Sequence, residues 1–224
     1  MLALYEISIN KVAKKILFVD LGDVLIKFEE KYVRELIKEE KFGDFISMIH
    51  DHDRGNPDFE LFGMHQKLIF GNYFKRPVPW KELAQAYWNC IGGVHAPMFK
   101  ALQGLKKRGI KLVCLTDNNH FCFYSTTVKF PEVCDLFHEN GRDMWMLSYK
   151  FGTLKKDWNG SLFAHLPGRF GVPIKDAAFV DNMPINIESA VKAGFKKNSV
   201  FLYDRLDPKN HERFLKFLDK QFPS

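Results

Sequence analysis

The stretch ILFVDLGDVLI, residues 16–26, decides the fold of this 224-residue chain. Four apolar residues run directly into a carboxylate, Asp20, and a second carboxylate, Asp23, follows Gly22. An uninterrupted apolar run of this length is typical of a strand that is buried on both faces of a parallel sheet. The sequence therefore places an acid at the end of a buried strand, and its presence there calls for an explanation.

Four other apolar runs share the character of residues 16–19. They are KLVCL, MWML, AAFV and SVFLY, at residues 111–115, 144–147, 177–180 and 199–203. Segments with the apolar spacing of amphipathic helices separate these runs. The alternation predicts an α/β fold whose core is a three-layer, Rossmann-like parallel sheet with helices on both faces.

Residues 27–98 break this alternation, because they contain helical patterns and no buried strand run. The first helical pattern consists of Phe28, Tyr32, Val33, Leu36 and Ile37. Further helical patterns cover residues 58–70 and 80–91. The stretch GNYFKRPVP, with one glycine and two prolines, separates them and is typical of a loop.

The order of these segments predicts two domains. Residues 1–26 and 99–224 would form an α/β core domain, and residues 27–98 a helical cap domain inserted after the first strand. Ligands of open α/β sheets bind in the crevice at the carboxyl ends of the strands. Because the insertion follows directly from such an end, we expect the cap domain to cover the binding crevice.

Composition and charge narrow the range of partners. Hydrophobic residues make up 46% of the chain, and no apolar run approaches the ~18 residues of a membrane span. The stretch MLALYEISINKVAKK carries Glu6 within its apolar part, which makes it a poor signal peptide. We therefore expect a cytoplasmic protein with no membrane partner.

The net charge of +6 comes from basic clusters that are scattered along the chain. Such scatter does not favour binding to a nucleic acid, so we expect no nucleic-acid partner. The sequence leaves the oligomeric state open.

Polar side chains follow the other predicted strands, as Asp20 follows the first. Thr116 comes directly after the second predicted strand, Asp181 directly after the fourth, and Lys155 and Lys156 lie beyond the third. Because the carboxyl ends of parallel strands meet at one edge of a sheet, we expect these groups to converge there. They would combine a nucleophilic carboxylate, a hydroxyl, a cation and a second carboxylate.

The order and spacing of these motifs resemble those of the haloacid dehalogenase (HAD) superfamily. VDLGDVL is similar to its first motif, LTDNN at 115–119 to its second, GTLKK at 152–156 to its lysine motif and FVDNMPINIESA at 179–190 to its fourth. The resemblance extends from Ile16 to about Tyr203. More specifically, the chain resembles the small-molecule phosphatases of this superfamily that have a helical cap inserted after the first strand.

A stretch of the expected cap adds to this resemblance. HDHDRGNPD, residues 50–58, is similar to a His-x-x-x-Arg-Gly stretch of sugar-phosphate phosphatases in this group. The resemblance implies a Mg²⁺-dependent phosphatase that acts through an aspartyl-phosphate intermediate. Its substrate and partner would be a small phosphorylated metabolite, with sugar phosphates as the favoured class.

The resemblance also implies a role for each group, and the chemistry of phosphoryl transfer supports these roles. The reaction needs a nucleophile, a metal and donors to the phosphate oxygens. Asp20 would attack phosphorus. Asp20, the backbone carbonyl of Gly22 and Asp181 would bind Mg²⁺, which prefers oxygen ligands and retains several waters. Thr116 would donate its hydroxyl to a phosphate oxygen, and Lys155 would neutralise phosphate charge.

Further positions belong to the expected site. The family pattern Gly-x-x-Lys-Pro falls on Gly152 and favours Lys155, whereas the spacing to the following apolar pair favours Lys156. Arg54 in the cap would bind a substrate anion in a bidentate manner. Asp117 would lie beside the substrate, where its carboxylate repels phosphate unless it is turned away or paired.

Gly22 departs from the family pattern. Phosphatases that this chain resembles usually have an aspartate there, two residues after the nucleophile, which protonates the leaving group. General acid catalysis is commonly worth ~10²–10⁴ in rate, so another group must supply the proton. The candidates are a cap residue and Asp23 after a turn. Asn182, where a second acid is often found, also leaves the expected Mg²⁺ site less acidic.

Two other functions agree with the sequence. A 2-haloacid dehalogenase also uses an aspartate nucleophile and has no acid at the position of Gly22. Asp181 argues against it, because a site without metal would then contain a second, uncompensated carboxylate. The other alternative is a protein that keeps the fold, has lost catalysis and binds or regulates.

Overall fold

The computed structural model describes residues 16–56, 61–157 and 161–223. The expectations for the amino-terminal stretch, for the first residues of the helical pattern at 58–70 and for the end of HDHDRGNPD lie outside these ranges. None of the helices in the described ranges combines the length and the apolar character that a membrane span requires.

Strands and helices alternate along the described chain. The strands are β1 (Ile16–Val19), β2 (Ile26–Phe28), β3 (Ile91–Val94), β4 (Lys111–Thr116), β5 (His138–Glu139), β6 (Arg142–Asp143), β7 (Trp145–Leu147), β8 (Ala177–Asp181) and β9 (Val200–Leu202). The α-helices are α1 (Lys31–Arg34), α2 (Phe42–Asp53), α3 (Leu61–Phe70), α4 (Trp80–Cys90), α5 (Ala96–Lys107), α6 (His120–Lys129), α7 (Pro131–Leu136), α8 (Ser148–Phe151), α9 (Leu166–Phe170), α10 (Pro184–Lys192) and α11 (Pro208–Gln221). Short 3-10 helices lie at Glu39–Lys41, Leu162–His165, Ile174–Asp176 and Lys197–Ser199.

Five strands form the central sheet, in the spatial order β7, β4, β1, β8 and β9, and all neighbours pair in parallel. β1 is the middle strand, and its four residues are buried. Its neighbours place Cys114 of β4 and Val180 of β8 opposite Val19. Helices α5 and α10 contact β4 and β8. The predicted α/β fold with a parallel central sheet is confirmed, and all five predicted strand runs contribute to it.

Phenylalanine rings pack around the middle of the sheet. Phe18 in β1 makes edge contacts with Phe170 and Phe195, at centroid distances of 5.7 and 6.1 Å. Phe163 packs against Phe179 of β8 at 5.2 Å. Offset ring contacts of this kind add to the burial of apolar area. They hold β1 and β8 in the core and so fix the points at which the residues at their carboxyl ends enter the candidate site.

Helices α1 to α4 lie between β2 and β3, where the sequence predicted a cap. β2 and β3 pair antiparallel, with Ile26 opposite Val94 and Phe28 opposite Ile91. The chain therefore leaves the core and returns to it through a two-stranded ribbon, which the sequence patterns did not indicate. The division into a core domain and a cap domain stays a prediction, and the name cap segment is used below for residues 27–98.

The first predicted helix of the cap segment is wrong in its extent. The pattern from Phe28 to Ile37 predicted one helix, but α1 covers only Lys31–Arg34. The backbone N–H of Phe28 donates to the Asp23 carboxylate at 3.1 Å, and Ile37 forms an isolated β-bridge with Phe74. Phe28 ends β2 and Ile37 lies in a β-bridge, so both ends of the pattern pair as extended backbone and only its middle is helical.

Candidate active site

Asp20 is the first residue after β1 and lies at the carboxyl end of the central sheet. Its backbone N–H donates to the carbonyl of Val180 in β8, at 2.9 Å. Asp181 is the last residue of β8. Because Val19 and Val180 are opposite each other in register, the two carboxylates leave neighbouring strands at the same level. Asp20 is 6% exposed and Asp181 is fully buried.

A single ammonium group joins the two carboxylates. Lys155 Nζ lies 2.6 Å from Asp20 Oδ1 and 2.5 Å from Asp181 Oδ2, and the lysine is buried. The Nζ of Lys156 lies 3.2 Å from Nδ1 of His50 in α2. The structure thus brings Lys155, and not Lys156, into contact with Asp20 and Asp181.

The turn that carries Lys155 begins after α8. Gly152 ends this helix with a φ of 69°, in the left-handed region that favours glycine. Asp157 closes the turn, because its Oδ2 accepts hydrogen bonds from the Leu154 N–H at 2.8 Å and from the Thr153 hydroxyl at 3.3 Å. A carboxylate that accepts bonds from its own turn fixes the backbone there. The turn therefore presents the lysine in one orientation.

Arg54 lies in a different position from the expected one. Its Nε and Nη2 donate to Asp157 at 3.0 and 2.7 Å, and its Nη1 donates to Asp51 at 3.2 Å. Arg54 is not among the described residues that line the cavity of the site. An ion pair inside the protein takes the place of the expected contact with a substrate anion. This pair joins the end of α2 to the turn of Lys155.

Thr116 and Asp117 lie at the end of β4. Thr116 is the last residue of the strand, is buried and lines the same cavity as Asp20. Asp117 also lines the cavity, and its Oδ1 accepts a hydrogen bond from the backbone N–H of Lys155 at 2.9 Å. Burial raises the pKa of Asp117, and the charge of Lys155 opposes this rise. The carboxylate of Asp117 is therefore paired, which was the condition for its presence near a phosphate.

Asp181 is held by residues that follow it in the chain. Its Oδ1 accepts a hydrogen bond from the Met183 N–H at 2.7 Å, and the side-chain amide of Asn186 donates to both oxygens at 3.1 Å. Together with Lys155, these donors compensate a buried charge that would otherwise be costly. Asn186 was not among the residues predicted for the site. The sequence feature that could have predicted its role is its position five residues after Asp181, in a helix that begins at Pro184.

Gly22 and Asp23 both line the cavity, and the carboxylate of Asp23 is engaged by neighbouring groups. Asp23 has a φ of 55°, in the left-handed region that residues other than glycine rarely adopt. Its Oδ1 accepts hydrogen bonds from Arg205 Nε at 2.7 Å and from the Phe28 N–H at 3.1 Å. This pairing speaks against Asp23 as the acid that is missing at Gly22.

Burial and the neighbouring charges set the protonation of the site. Burial raises the pKa of Asp20 to about 7, a rise that Lys155 limits and Asp181 increases. Burial by itself lowers the pKa of Lys155, but Asp181 and Asp20 outweigh it, so the pKa of the ammonium is raised. Lys155 therefore stays charged at neutral pH, and its charge favours the ionised form of Asp20.

The site opens into a cavity of about 340 Å³ between the sheet edge and the cap segment. Small-molecule pockets in proteins commonly have volumes of ~300–1,000 Å³, so this cavity suits a small ligand. The sheet side includes most of the expected site residues, namely Asp20, Gly22, Thr116, Asp117 and Lys155. The cap side includes His50 and Asp53 from α2.

Asp53, the last residue of α2, ties the cap segment to the core. Asn119 Nδ2 donates to Asp53 Oδ1 at 2.8 Å, and the Ser148 hydroxyl donates to the Asp53 carbonyl at 2.6 Å. Asp53 is 8% exposed, and burial raises the pKa of its carboxyl to about 7. Asp53 lies within the HDHDRGNPD stretch but was not predicted as a site residue, because only the packing of α2 shows that it faces the cavity.

Solved structures of HAD enzymes are similar to this structure. A HAD family enzyme from Bacteroides thetaiotaomicron, a mutant in complex with magnesium and inorganic phosphate, is similar at a TM-score of 0.64 and 18% identity, over 88% of this chain and 98% of that one. A predicted HAD-like hydrolase from Porphyromonas gingivalis gives 0.61 and 18%, over 90% and 98%. An L-2-haloacid dehalogenase gives 0.60 and 16%, over 92% and 98%. The chain has the HAD fold.

The sequence itself matches no protein-family model and no curated protein. At identities below 20%, the likeness to solved structures establishes the HAD fold and leaves the reaction to be argued from the site. In this HAD fold, the carboxyl ends of β1, β4 and β8 bring Asp20, Thr116 and Asp181 to one edge of the sheet.

The donor atoms at this edge of the sheet are of the chemical type that Mg²⁺ binds. Asp20, Asp181 and the Gly22 carbonyl offer oxygen atoms, which Mg²⁺ prefers, and this ion needs few protein ligands because it retains several waters. Within the described ranges, no group of three or more His, Cys, Asp or Glu side chains is arranged as a metal site. Lys155 and Asn186 already donate to Asp181, so a cation would compete with the ammonium for this carboxylate.

Proposed function

We propose that this protein is a Mg²⁺-dependent phosphatase that hydrolyses a small phosphorylated metabolite through an aspartyl-phosphate intermediate. The proposal depends above all on the contacts of Lys155 Nζ with Asp20 and Asp181, at 2.6 and 2.5 Å, at the carboxyl end of the sheet. They support a site in which a buried cation lies beside the carboxylate that we propose as nucleophile. The Bacteroides HAD enzyme was solved with magnesium and inorganic phosphate, which supports the same ligands here.

In the first step, a carboxylate oxygen of Asp20 attacks the phosphorus of the monoester in line. The bond from phosphorus to the ester oxygen breaks, and the alcohol leaves with a proton. Lys155 neutralises charge on the phosphoryl oxygens, and the Thr116 hydroxyl donates to one of them. In the second step, water attacks the phosphorus, the bond to Asp20 breaks, and inorganic phosphate leaves. When bound by Asp20, Asp181 and the Gly22 carbonyl, Mg²⁺ supplies further neutralisation of phosphate charge.

The leaving alcohol needs a proton, and we assign its transfer to Asp53. Gly22 has no side chain, and the Asp23 carboxylate is paired with Arg205. Asp53 lines the cavity from the cap segment and accepts a hydrogen bond from the neutral amide of Asn119. Burial raises the pKa of Asp53 to about 7, so the carboxyl holds a proton over part of the neutral range. A group with such a pKa donates to a leaving oxygen and later accepts a proton from water.

Sugar phosphates are the substrate class that the sequence favoured, through the His-x-x-x-Arg-Gly stretch. Arg54 of this stretch is paired with Asp157 and Asp51, so its guanidinium is bound within the protein. The proposal of a phosphorylated small molecule therefore depends on Asp20 and Lys155. Arg54 therefore provides no evidence that the substrate contains a sugar.

Phosphate release from p-nitrophenyl phosphate in the presence of Mg²⁺ tests the proposal. The purified protein should release phosphate, and Asp20→Asn should abolish release, because an amide is a poor nucleophile and forms no aspartyl-phosphate. Asp219→Asn is the matched control, since Asp219 is exposed on α11. Activity of Asp20→Asn equal to that of the unmodified protein would refute the proposal.

A 2-haloacid dehalogenase is the second candidate, and one observation favours it. Asp181 was expected to be uncompensated in a site without metal, but Lys155, Asn186 and the Met183 N–H all donate to it. Halide release from a 2-haloacid that persists in EDTA, without phosphate release, would support this candidate. The absence of both activities, with retained binding of phosphorylated ligands, would indicate a HAD-fold protein that binds or regulates.

A further inference from the structure

The cap segment presents a mostly apolar wall to the cavity. Helix α2 contributes Phe45, Ile46 and Ile49 to it, and neighbouring parts of the cap segment contribute Val33 and Tyr87. A ligand group that contacts such a wall gains affinity by removing apolar surface from water. A polar group at the same place loses its water without new hydrogen bonds. The wall therefore favours an apolar ligand group.

The cap segment also contributes polar side chains to the cavity, namely Glu30, His50, Asp53 and Tyr87, and each has a partner within the protein. His50 contacts Lys156, and Asp53 accepts a hydrogen bond from Asn119. The hydroxyl of Tyr87 points to Met64 Sδ, at 3.6 Å. The Glu30 carboxylate accepts a hydrogen bond from Arg34 at 2.7 Å. A sugar has several hydroxyls, and each needs a partner when it is buried. These contacts reduce the partners that the wall offers to a sugar.

Large apolar side chains that line the cavity are also exposed to solvent. Phe28 in β2 is 39% exposed, and Met183 and Ile185, around the start of α10, are 49% and 43% exposed. Met183 and Ile185 follow Asp181 closely in the chain, so this apolar surface begins next to the carboxylate that Lys155 joins to the candidate nucleophile Asp20. A group of exposed apolar residues that rims a polar site is typical of a ligand-binding surface.

We infer that the substrate is a phosphate monoester whose alcohol carries a compact apolar group, about one ring in size. This inference rests on the proposed phosphatase function. The phosphate would lie at Lys155 and Asp20, and the apolar group between Ile49 of the cap segment and Ile185 of the core. The size follows from the cavity volume of about 340 Å³, which lies at the lower end of the range for ligand pockets and must also hold the phosphate.

Binding of two phosphonates that cannot be hydrolysed tests the inference without turnover. 2-Phenylethylphosphonate carries one ring, and 2,3-dihydroxypropylphosphonate carries two hydroxyls. In calorimetric titrations with Mg²⁺, we expect the phenylethyl compound to bind about tenfold more tightly or better, because burial of an aromatic ring is worth at least one tenfold step in affinity. Equal affinities, or tighter binding of the dihydroxypropyl compound, would overturn the inference.

Substitutions of isoleucine by glutamine locate the site of this preference. Ile185→Gln should lower the preference about three- to tenfold, because it places an amide in the apolar surface. Ile69→Gln is the matched control: Ile69 is 48% exposed and Ile185 43%, but Ile69 is not among the described residues that line the cavity. Ile49→Gln tests the cap side of the same wall. A preference that survives both Ile185→Gln and Ile49→Gln would contradict the inference.

Failure of the proposed function has a different signature. Preferred binding of 2-phenylethylphosphonate, without phosphate release from 2-phenylethyl phosphate or p-nitrophenyl phosphate, would refute the phosphatase and retain the apolar site. Hydrolysis of sugar phosphates with kcat/KM equal to or above that for 2-phenylethyl phosphate would retain the phosphatase and refute the apolar substrate.

Discussion

Arg54 and Asp157 form an ion pair with two hydrogen bonds, at 3.0 and 2.7 Å, across 103 positions of the chain. Arg54 directly follows α2 of the cap segment. Asp157 also accepts the backbone N–H of Leu154, in the turn that carries Lys155. One carboxylate thus binds both the cap segment and the lysine turn. The placement of the cap segment is therefore coupled to the placement of the Lys155 ammonium.

Arg54→Ala should weaken this coupling. We expect it to lower the free energy of unfolding by about 1 kcal/mol, because a bidentate pair that is only partly buried lies between surface and buried ion pairs in strength. The side chains of Arg54 and Asp157 are 32% and 22% exposed. The variant should also lower kcat for phosphate release, since Lys155 would be held less firmly. Urea unfolding and kinetics with p-nitrophenyl phosphate measure the two effects.

Arg76→Ala is the matched control for this prediction. Arg76 forms a bidentate pair with Glu82, but those side chains are 56% and 36% exposed, and neither lines the cavity. Because solvent screens such an exposed pair, its removal should leave both the free energy of unfolding and kcat nearly unchanged. Equal losses of activity in both variants would show that the Arg54 pair does not position Lys155.

Lys155→Met should be strongly destabilising, because it leaves Asp20 and Asp181 buried without their cation. Removal of one partner of a buried ion pair commonly costs about 3–5 kcal/mol. Lys156→Met is the control, since the Nζ of Lys156 contacts His50 and forms no ion pair with a carboxylate of the described residues. Its loss should cost less than about 1 kcal/mol. Urea unfolding compares the two variants. Similar losses would mean that Lys155 does not compensate the two carboxylates.

Much of the fold could be predicted from local patterns. The runs at residues 16–19 and 177–180 became neighbouring strands, because an uninterrupted apolar run is stable only where both faces are covered. The helical pattern at residues 80–91 corresponds to α4. The pattern from Phe28 to Ile37 failed at its ends, because β pairing of Phe28 with Ile91 and of Ile37 with Phe74 overrides a weak local preference for helix.

Some residues of the candidate site could likewise be predicted from the sequence, and others could not. Asp20, Thr116 and Asp181 could be placed from the sequence, because each lies at a strand end and the register of the strands carries it to the sheet edge. The contacts of Arg54 and Asp53 could not, because they depend on how α2 packs against the core. Helix α2 was itself not predicted: its first turn has no side-chain cap, so no capping signal marks its start.

Asp53 should make the stability of the protein depend on pH between about 4 and 7. Burial raises the pKa of this carboxyl from 3.8 to about 7 in the folded protein. In that interval the folded state keeps the proton and the unfolded state has lost it. The free energy of unfolding therefore falls as pH rises through the interval and levels off above it. The total change is roughly 4 kcal/mol at most, and its sign is opposite to that of an aspartate stabilised by a cation.

Asp53→Asn removes this titration and retains an oxygen that accepts the hydrogen bond from Asn119. The gain in unfolding free energy of the variant over the unmodified protein should increase between about pH 4 and 7 and stay constant at higher pH. Urea unfolding across this range measures the difference, and the exposed Asp219→Asn should give a constant difference throughout. A constant difference for Asp53→Asn would mean that the folded carboxyl titrates at its ordinary pKa.

The assignment of proton transfer to Asp53 predicts a dependence on the leaving group. Asp53→Asn should lower kcat for an alkyl ester such as 2-phenylethyl phosphate by about 10²-fold or more, because an alkoxide leaves poorly without a proton. With p-nitrophenyl phosphate the loss should be much smaller, since its leaving group is a stable anion. Asn119→Ala, which removes the partner of Asp53 but keeps the carboxyl, should lower kcat for the alkyl ester less than Asp53→Asn does. Equal losses for both substrates in Asp53→Asn would leave Asp53 with only the structural role of linking the cap segment to the core.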